Sequence, residues 1–352
     1  MSKISQQLSD ILRESPGTAR DSRQKKIYVS DSLTDVKRID LFPKAVVPPR
    51  GIQSYFYQKL ATTKHFEEAN LILVPHEWQD IRKNREYLGY IKEISKEIPT
   101  LIFNTGDVSP PVSLKNITQI RTFLHPGESD QGKIVIPYPV LSREFKIREW
   151  DTIPKVGFMG QLPRISPGSL ISRPKPSIRY PIKSSSYLSR RLALAKLRKL
   201  GPTVNVDLVI RPSFTAHHKN RNLISHSEEF QNQLFDCDYI LCPRGYGNTS
   251  IRFYEALSAG KTPILVESEG GMPRLIEGRE WGNHILSVDL KSKWQDIILQ
   301  DWKTLSNGDS YLNRQLSNLD LFNSVIDFDS YMMHLFSDFI ENGDNDSGIG
   351  DS

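Results

Sequence analysis

The run Cys242-Pro-Arg-Gly-Tyr-Gly-Asn-Thr-Ser-Ile-Arg-Phe-Tyr-Glu-Ala-Leu-Ser-Ala-Gly260 joins an apolar strand to a helix through a glycine turn. Tyr239–Cys242 reads as a buried strand, Gly245 and Gly247 as the turn, and Thr249–Ala259 as a helix capped by Asn248, Thr249 or Ser250. Glycines let a backbone adopt positive φ and approach a ligand closely. The free N–H groups of a first helical turn, with the helix dipole, favour a phosphate. Arg244 stands at the strand's carboxyl end, where open α/β sheets place ligands. Arg252 and Glu255 are three residues apart on one helix face. A carboxylate one turn into such a helix can accept both hydroxyls of a ribose while the helix start holds a diphosphate. The alternative is a surface turn with an Arg252–Glu255 ion pair. Gly260 then closes the helix as its C′ residue, and Pro263 opens the next strand.

Outward from this run, strands and helices alternate. On its far side come strands at Thr262–Val266 and His284–Val288, a helix at Lys293–Leu305 and a terminal helical region at Leu316–Ile340. Before it lie a strand at Lys155–Met159, a helix at Tyr187–Leu200, a strand at Val204–Ile210 and a helix near Ser227–Leu234. An earlier set comprises strands at Lys26–Ser30, Leu71–Pro75, Thr100–Asn104, Gln119–Leu124 and Lys133–Ile136, with a helix at Tyr55–Thr63. Trp78, Ile81, Leu88, Ile91, Ile94 and Ile98 recur near helical spacing. Such alternation predicts parallel sheets covered on both faces. The expectation is two Rossmann-like α/β domains facing a cleft. Residues 1–25 form a flexible leader with a short helix at Gln6–Leu12. Residues 26–145 form the first domain, 146–310 the second and 311–340 a helical region, and 341–352 a disordered acidic tail.

The length of 352 residues fits about two domains and an ample core. Apolar stretches fall far short of the roughly 20 residues that span a bilayer. The start, Met1-Ser2-Lys3-Ile4, lacks the apolar core of a signal peptide. Only Cys237 and Cys242 are present, and their spacing on a strand points them to opposite faces. A disulfide scaffold is thereby excluded, and the expectation is a cytoplasmic protein without a membrane anchor. The net charge is +5, unevenly spread. Between Asp151 and Asp207 there is no acid, against 11 Lys and Arg. This basic interval implies an anionic partner, or else a solvated loop. Gly160–Ser186, rich in Pro, Ser and Arg, is far longer than an ordinary connection. It is expected to close over phosphates through some of Arg164, Arg173, Lys175, Arg179 and Lys183.

The motif Pro243-Arg-Gly, Ser250-x-Arg252-x-x-Glu255-Ala-Leu257, Gly260-x-x-Pro263 resembles the signature of exostosin-type glycosyltransferases. Weaker pieces follow in matching order: Ala69–Pro75, Leu101–Gly106, Val135–Val140, Phe158–Gly160, Arg190-Arg191 with Leu192–Leu197, and Met272–Ile276 with Trp281. The resemblance spans about residues 26–305. It implies a GT-B fold of two Rossmann-like domains and a nucleotide-sugar donor, a UDP-sugar above all, on the second domain. It further implies inversion at the anomeric carbon, no metal or other cofactor, and a glycan acceptor on an oligosaccharide, glycoprotein or glycolipid. By position, Arg190, Arg191, Arg244, Gly245, Tyr246, Asn248, Thr249, Ser250, Arg252 and Glu255 would hold the donor. The chain departs from eukaryotic members in its lack of a membrane anchor and a second catalytic domain, and in its longer, more basic loop. That favours a microbial or viral enzyme.

An inverting transfer needs a base close to the acceptor hydroxyl. Asp107, after the strand Leu101–Asn104, is the candidate; as a bland alternative it forms an Asx turn. His125, Glu128, Asp130 and Glu77 are its rivals. Asp236-Cys-Asp238 spells a metal-binding element but lies at the wrong end of its strand, and Asp327-Phe-Asp329 reads as a helix start. His217-His218 makes a poor chelate. No metal site is expected. Two other readings use the same features: a nucleotide-sugar epimerase or hydrolase, and a non-catalytic glycan- or nucleic-acid-binding protein using residues 155–199. That interval offers few aromatics for stacking bases, so no nucleic acid is expected.

Overall fold

The computed structural model describes residues 26–29, 60, 62–63, 65–106, 110–125, 127–140, 142–162, 186–211, 223–245, 249–266, 271–276 and 278–337. The leader, most of the Gly160–Ser186 loop, His217-His218 and the acidic tail lie outside them. Among the described residues eleven strands form two sheets. The first contains β1 (Ile27–Val29), β2 (Thr62–Thr63), β3 (Leu71–Glu77), β4 (Thr100–Phe103), β5 (Ile117–Arg121) and β6 (Lys133–Val135), in the order β2-β1-β3-β4-β5-β6. The second contains β7 (Lys155–Gln161), β8 (Asn205–Arg211), β9 (Tyr239–Pro243), β10 (Thr262–Val266) and β11 (Leu286–Val288), in the order β11-β10-β9-β7-β8. Every strand pairing is parallel. Parallel strands need both faces covered, which is why Leu71, Ile72, Leu73 and Val74 are all fully buried. The expected two Rossmann-like units are what the chain adopts.

The helices are α1 (Trp78–Ile81), α2 (Arg85–Ile94), α3 (Ser186–Leu197), α4 (Leu223–Asp236), α5 (Ile251–Ser258), α6 (Trp294–Thr304), α7 (Gly308–Leu321) and α8 (Phe328–Leu335). Three expectations need correction. Thr62–Thr63 ends no helix but adds an edge strand beside β1, a role suited to β-branched residues. The single apolar period from Trp78 to Ile98 is two helices, because Asn84 interrupts it as an N-cap, accepting from Tyr87 N at 3.0 Å. The terminal helical region begins earlier than expected, at Gly308 instead of Leu316, because Asn307 caps it by accepting from Ser310 N at 2.6 Å; elsewhere among the described residues the strand and helix positions agree within a few residues. Asp327 caps α8 as expected, accepting from Ser330 N at 3.4 Å. Among the described residues, no helix is long and apolar enough to cross a membrane.

Two features join the sheets. The extended segment 142–150 lies along the second unit, and the C-terminal helices reach both. Tyr311 on α7 donates to Asp238 Oδ1 at 2.6 Å, and after a π turn at Phe322–Ile326 Tyr331 on α8 donates to Val135 O at 3.2 Å. Carboxyl edges of the two sheets face each other. A Cβ on Gly271, after β10, would lie 3.0 Å from Leu124 Cδ1, after β5. Gly260 has φ +70°, the C′ conformation read from the sequence, and a Cβ there would come within 2.7 Å of Phe145 on the joining segment. Both cysteines are free and buried. Cys237 Sγ fills the space left by Gly157, and burial raises its thiol to about 12.

Asp238 explains the Asp-x-Asp spelling. Its carboxylate accepts from Arg148 Nε at 2.7 Å, Lys155 N at 2.7 Å and the Tyr311 hydroxyl, tying β7, the joining segment and α7 together. Removing one partner of a buried ion pair costs about 3–5 kcal/mol, so Asp238→Ala should lower the denaturant midpoint sharply. Lys261 beside it is 1% exposed, its Nζ has no hydrogen-bond partner among the described residues, and burial lowers it to about 8 against the pull of Asp238. The unfolded chain therefore holds more protons between pH 8 and the ordinary lysine value of about 10.4, and stability contributed by this site rises with pH across that window. Lys261→Met should raise the melting temperature most at or below pH 8, the gain vanishing as pH approaches the ordinary lysine value. An equal gain at every pH would contradict a charged buried Lys261.

Candidate functional site

The order of the second sheet creates the site. The chain starts in the sheet at β7, goes to the edge at β8, then crosses to β9 on the other side. Such a reversal opens a crevice at the strands' carboxyl ends. Gly160 and Gln161 end β7, Arg211 ends β8, and Arg244 follows β9. The turn after Arg244 is closed by Gly245 N donating to Thr249 O at 2.8 Å. Ser250 takes the N-cap position of α5 in extended conformation, but its hydroxyl makes no capping bond. Tyr246, Gly247 and Asn248 lie outside the described residues, as does Asp107.

Arginines fill the crevice. Arg190 on α3 donates from Nη1 to Gln161 O at 3.2 Å and from Nη2 to Arg244 O at 3.3 Å, so it spans the reversal point from β7 to β9. Burial, aided by the charge of Arg252, lowers Arg190 to about 10, still cationic at neutral pH. Arg191, one residue on, is exposed, so of the pair only Arg190 joins the crevice. Arg252 is half-buried, its guanidinium 5.8 Å from the rings of Phe158 and Phe230. Its Nε has no hydrogen-bond partner among the described residues. Arg211 and Arg143 add to the same field. Against these stand Glu229, on Arg211 at 2.9 Å, and Glu255, on Arg143.

Glu255 does not pair with Arg252, its i−3 neighbour, as the sequence alternative supposed. Its Oε1 accepts from Arg143 Nη2, on the segment joining the sheets. Arg143 was invisible in the sequence reading, because an extended segment has no period to mark it. Its proximity could have been suspected only from Gly260, whose missing side chain admits Phe145 of that segment.

Opposite, at the carboxyl edge of the first sheet, stand the rivals for a base. Glu77 is re-aimed by a bulge in β3 and accepts from Thr105 N at 2.8 Å, Thr105 Oγ1 at 2.7 Å and Gly106 N at 3.3 Å. Burial raises its carboxyl above the usual range despite these bonds. It holds the turn that leads to Asp107. Glu128 is engaged by Arg121 Nη1 at 3.1 Å, Lys133 at 3.6 Å and His125 N at 2.8 Å. Asp130 is exposed beside Arg274. His125 is half-buried, edge-on to Phe123 with centroids 5.2 Å apart. Burial, with the charges of Arg121 and Arg244, holds its imidazole below the ordinary value against the opposing pull of Glu128. It therefore favours the neutral form at neutral pH and lies across from Arg244.

No family model matches the chain, and no curated protein matches it in sequence. Among solved structures the chain is similar to HepE of Anabaena in complex with UDP, at 12% identity and TM-score 0.35, over 76% of this chain and 78% of that one. It is similar to WaaG, a glycosyltransferase involved in lipopolysaccharide biosynthesis, at 9% identity and TM-score 0.36, over 89% and 99%. TarM is matched at 12% identity and TM-score 0.34 over 72% of this chain, which spans 57% of the TarM chain.

Cations that are partly withdrawn from water and outnumber the carboxylates beside them lose free energy that a bound anion would restore. Inorganic diphosphate should raise the melting temperature, by the equivalent of about 2.7 kcal/mol at 100 times its Kd, and Arg252→Met should abolish the rise. A second prediction tests the packing. A Cβ on Gly160 would lie 3.2 Å from Arg252 Nη2 and 2.9 Å from Phe158 Cζ. Gly160→Ala should cost about 1–3 kcal/mol in chemical denaturation and weaken diphosphate binding. Unchanged values would mean that Arg252 has room to move.

Proposed function

We propose that the protein is a GT-B glycosyltransferase that moves a sugar from a nucleotide-sugar donor, a UDP-sugar above all, to a glycan acceptor. The observation that carries this reading is the arginine crevice at the reversal point of the second sheet, with Glu255 one turn into the adjoining helix. A diphosphate at the start of α5 meets Arg190, Arg244 and Arg252, with Ser250, Thr249 and Gly245 lining the turn. Tyr246 and Asn248 complete it by sequence position. The ribose then lies at the height of Glu255. The likeness of the Arg244–Glu255 motif to exostosin-type enzymes supports the same assignment.

The chemistry follows from charge. As the glycosidic bond to the donor breaks, negative charge gathers on the leaving diphosphate, and fixed cations stabilise it without reorganisation. The arginines supply the positive charge that a divalent metal supplies elsewhere, so no metal or other cofactor is invoked. Attack by the acceptor oxygen from the opposite face inverts the anomeric carbon, and its proton passes to a base on the first unit. We assign that base to His125, neutral and facing Arg244, with Asp107 as the competing carboxylate on the turn held by Glu77. A hydrolase would use the same donor pocket but pass the sugar to water and release UDP without a glycan acceptor, and an epimerase would return an epimeric nucleotide-sugar with no net release of UDP. A binding module would release none.

Calorimetric titration of UDP tests the donor site. Glu255→Ala and Arg244→Ala should each weaken UDP about ten- to a hundredfold, or roughly 1.5–3 kcal/mol for a lost charged hydrogen bond. A lower melting temperature with wild-type UDP affinity would reduce Glu255 to a structural partner of Arg143. Turnover should survive EDTA; rescue by Mn²⁺ after chelation would contradict the metal-free reading. His125→Ala should lower kcat while sparing UDP affinity. In the native enzyme kcat/KM should rise with pH through an inflection below about 6.5, the ordinary imidazole value. If Asp107→Asn removes activity and His125→Ala does not, the base is Asp107.

A further inference from the structure

Arg143 is placed as no ordinary segment residue would be. Its Nη2 donates to Glu255 Oε1, its Nη1 to Ser227 Oγ on α4 at 3.0 Å, and its guanidinium lies 5.4 Å from the Phe230 ring. Its backbone N donates to Ser258 Oγ at 3.0 Å, and that hydroxyl donates in turn to Glu255 O at 2.9 Å. Arg143 therefore grips Glu255 at both ends of the residue. Both side chains are 14% exposed, so the pair is largely withdrawn from water yet open to a ligand on one side.

A glutamate on a helix has three rotatable side-chain bonds and ordinarily turns among several rotamers. Here one carboxylate oxygen is fixed by a guanidinium that is itself fixed by Ser227 and stacked on Phe230. The other oxygen, Oε2, has no hydrogen-bond partner among the described residues. We propose that Arg143 is a positioning residue, holding the Glu255 carboxylate in the orientation that reads the ribose hydroxyls of the donor nucleotide. The segment joining the two sheets thereby sets the nucleotide selectivity of the second unit. This rests on the donor-site reading of Glu255 given above.

The test compares UDP with 2′-deoxy-UDP, because a carboxylate that accepts from the 2′-hydroxyl distinguishes them and a merely structural ion pair does not. Wild-type protein should prefer UDP by about tenfold. Arg143→Met should bring that preference near unity, weakening UDP several-fold more than 2′-deoxy-UDP. Arg143→Met/Glu255→Gln should show no further loss beyond Glu255→Gln alone, since the two residues act as one unit. Ser227→Ala, which frees one side of the guanidinium without touching Glu255, keeps the test open should Arg143→Met not fold. It should lower the preference about two- to threefold. An undiminished preference in folded Arg143→Met or Ser227→Ala would overturn the positioning role while leaving the donor site standing. A wild-type protein that binds both nucleotides equally would overturn the ribose role of Glu255, and the role of Arg143 with it.

Discussion

Positive charge gathered at the carboxyl edge of the second sheet is the constraint on which the site depends. Arg190, Arg244 and Arg252 are drawn together by the β7–β9 reversal, and burial resists their charge: Arg190 falls to about 10 and Arg252 is also lowered. A fold tolerates such an arrangement when an anion completes it. The phenyl rings of Phe158 and Phe230 flank the Arg252 guanidinium, and Gly160 leaves room for it against the β7 backbone. Each of these details gives way if Arg252 is absent.

The segment 142–150 does more than connect. Arg143 grips Glu255, Phe145 fills the space over Gly260, and Arg148 meets Asp238, which also receives Tyr311 and the backbone of β7. One strap therefore touches the ligand edge of the second sheet through Arg143 and its opposite edge through Arg148. The C-terminal helices then return to the first sheet through Tyr331 and Val135. Any change in the angle between the sheets bears on this strap and on the carboxylate it holds.

Much of the fold was legible because parallel strands are nearly continuous apolar runs. Leu71–Val74, Tyr239–Cys242 and Thr262–Val266 announce themselves, and with them the carboxyl ends where Arg244 had to lie. Gly260 announced a helix end and proved to be one. Short or irregular elements were less legible. Thr62–Thr63 pairs as an edge strand of two residues, too short for a period, and the Asn84 cap was hidden inside an apparently continuous helical pattern. Contacts between distant positions left no local trace. The sequence offered Arg252 as the neighbour of Glu255, and only the folded chain brings in Arg143 from 112 residues away. The approach of His125 to Arg244 likewise follows from the facing of the two sheets, which no spacing records.

The most direct measurement is a crystal structure of the protein grown with UDP. The account predicts the diphosphate between the ends of β7 and β9, within hydrogen-bond reach of Arg190, Arg244 or Arg252, and the ribose hydroxyls on Glu255 Oε2. Diphosphate density elsewhere, or a crevice without nucleotide at saturating UDP, would contradict it.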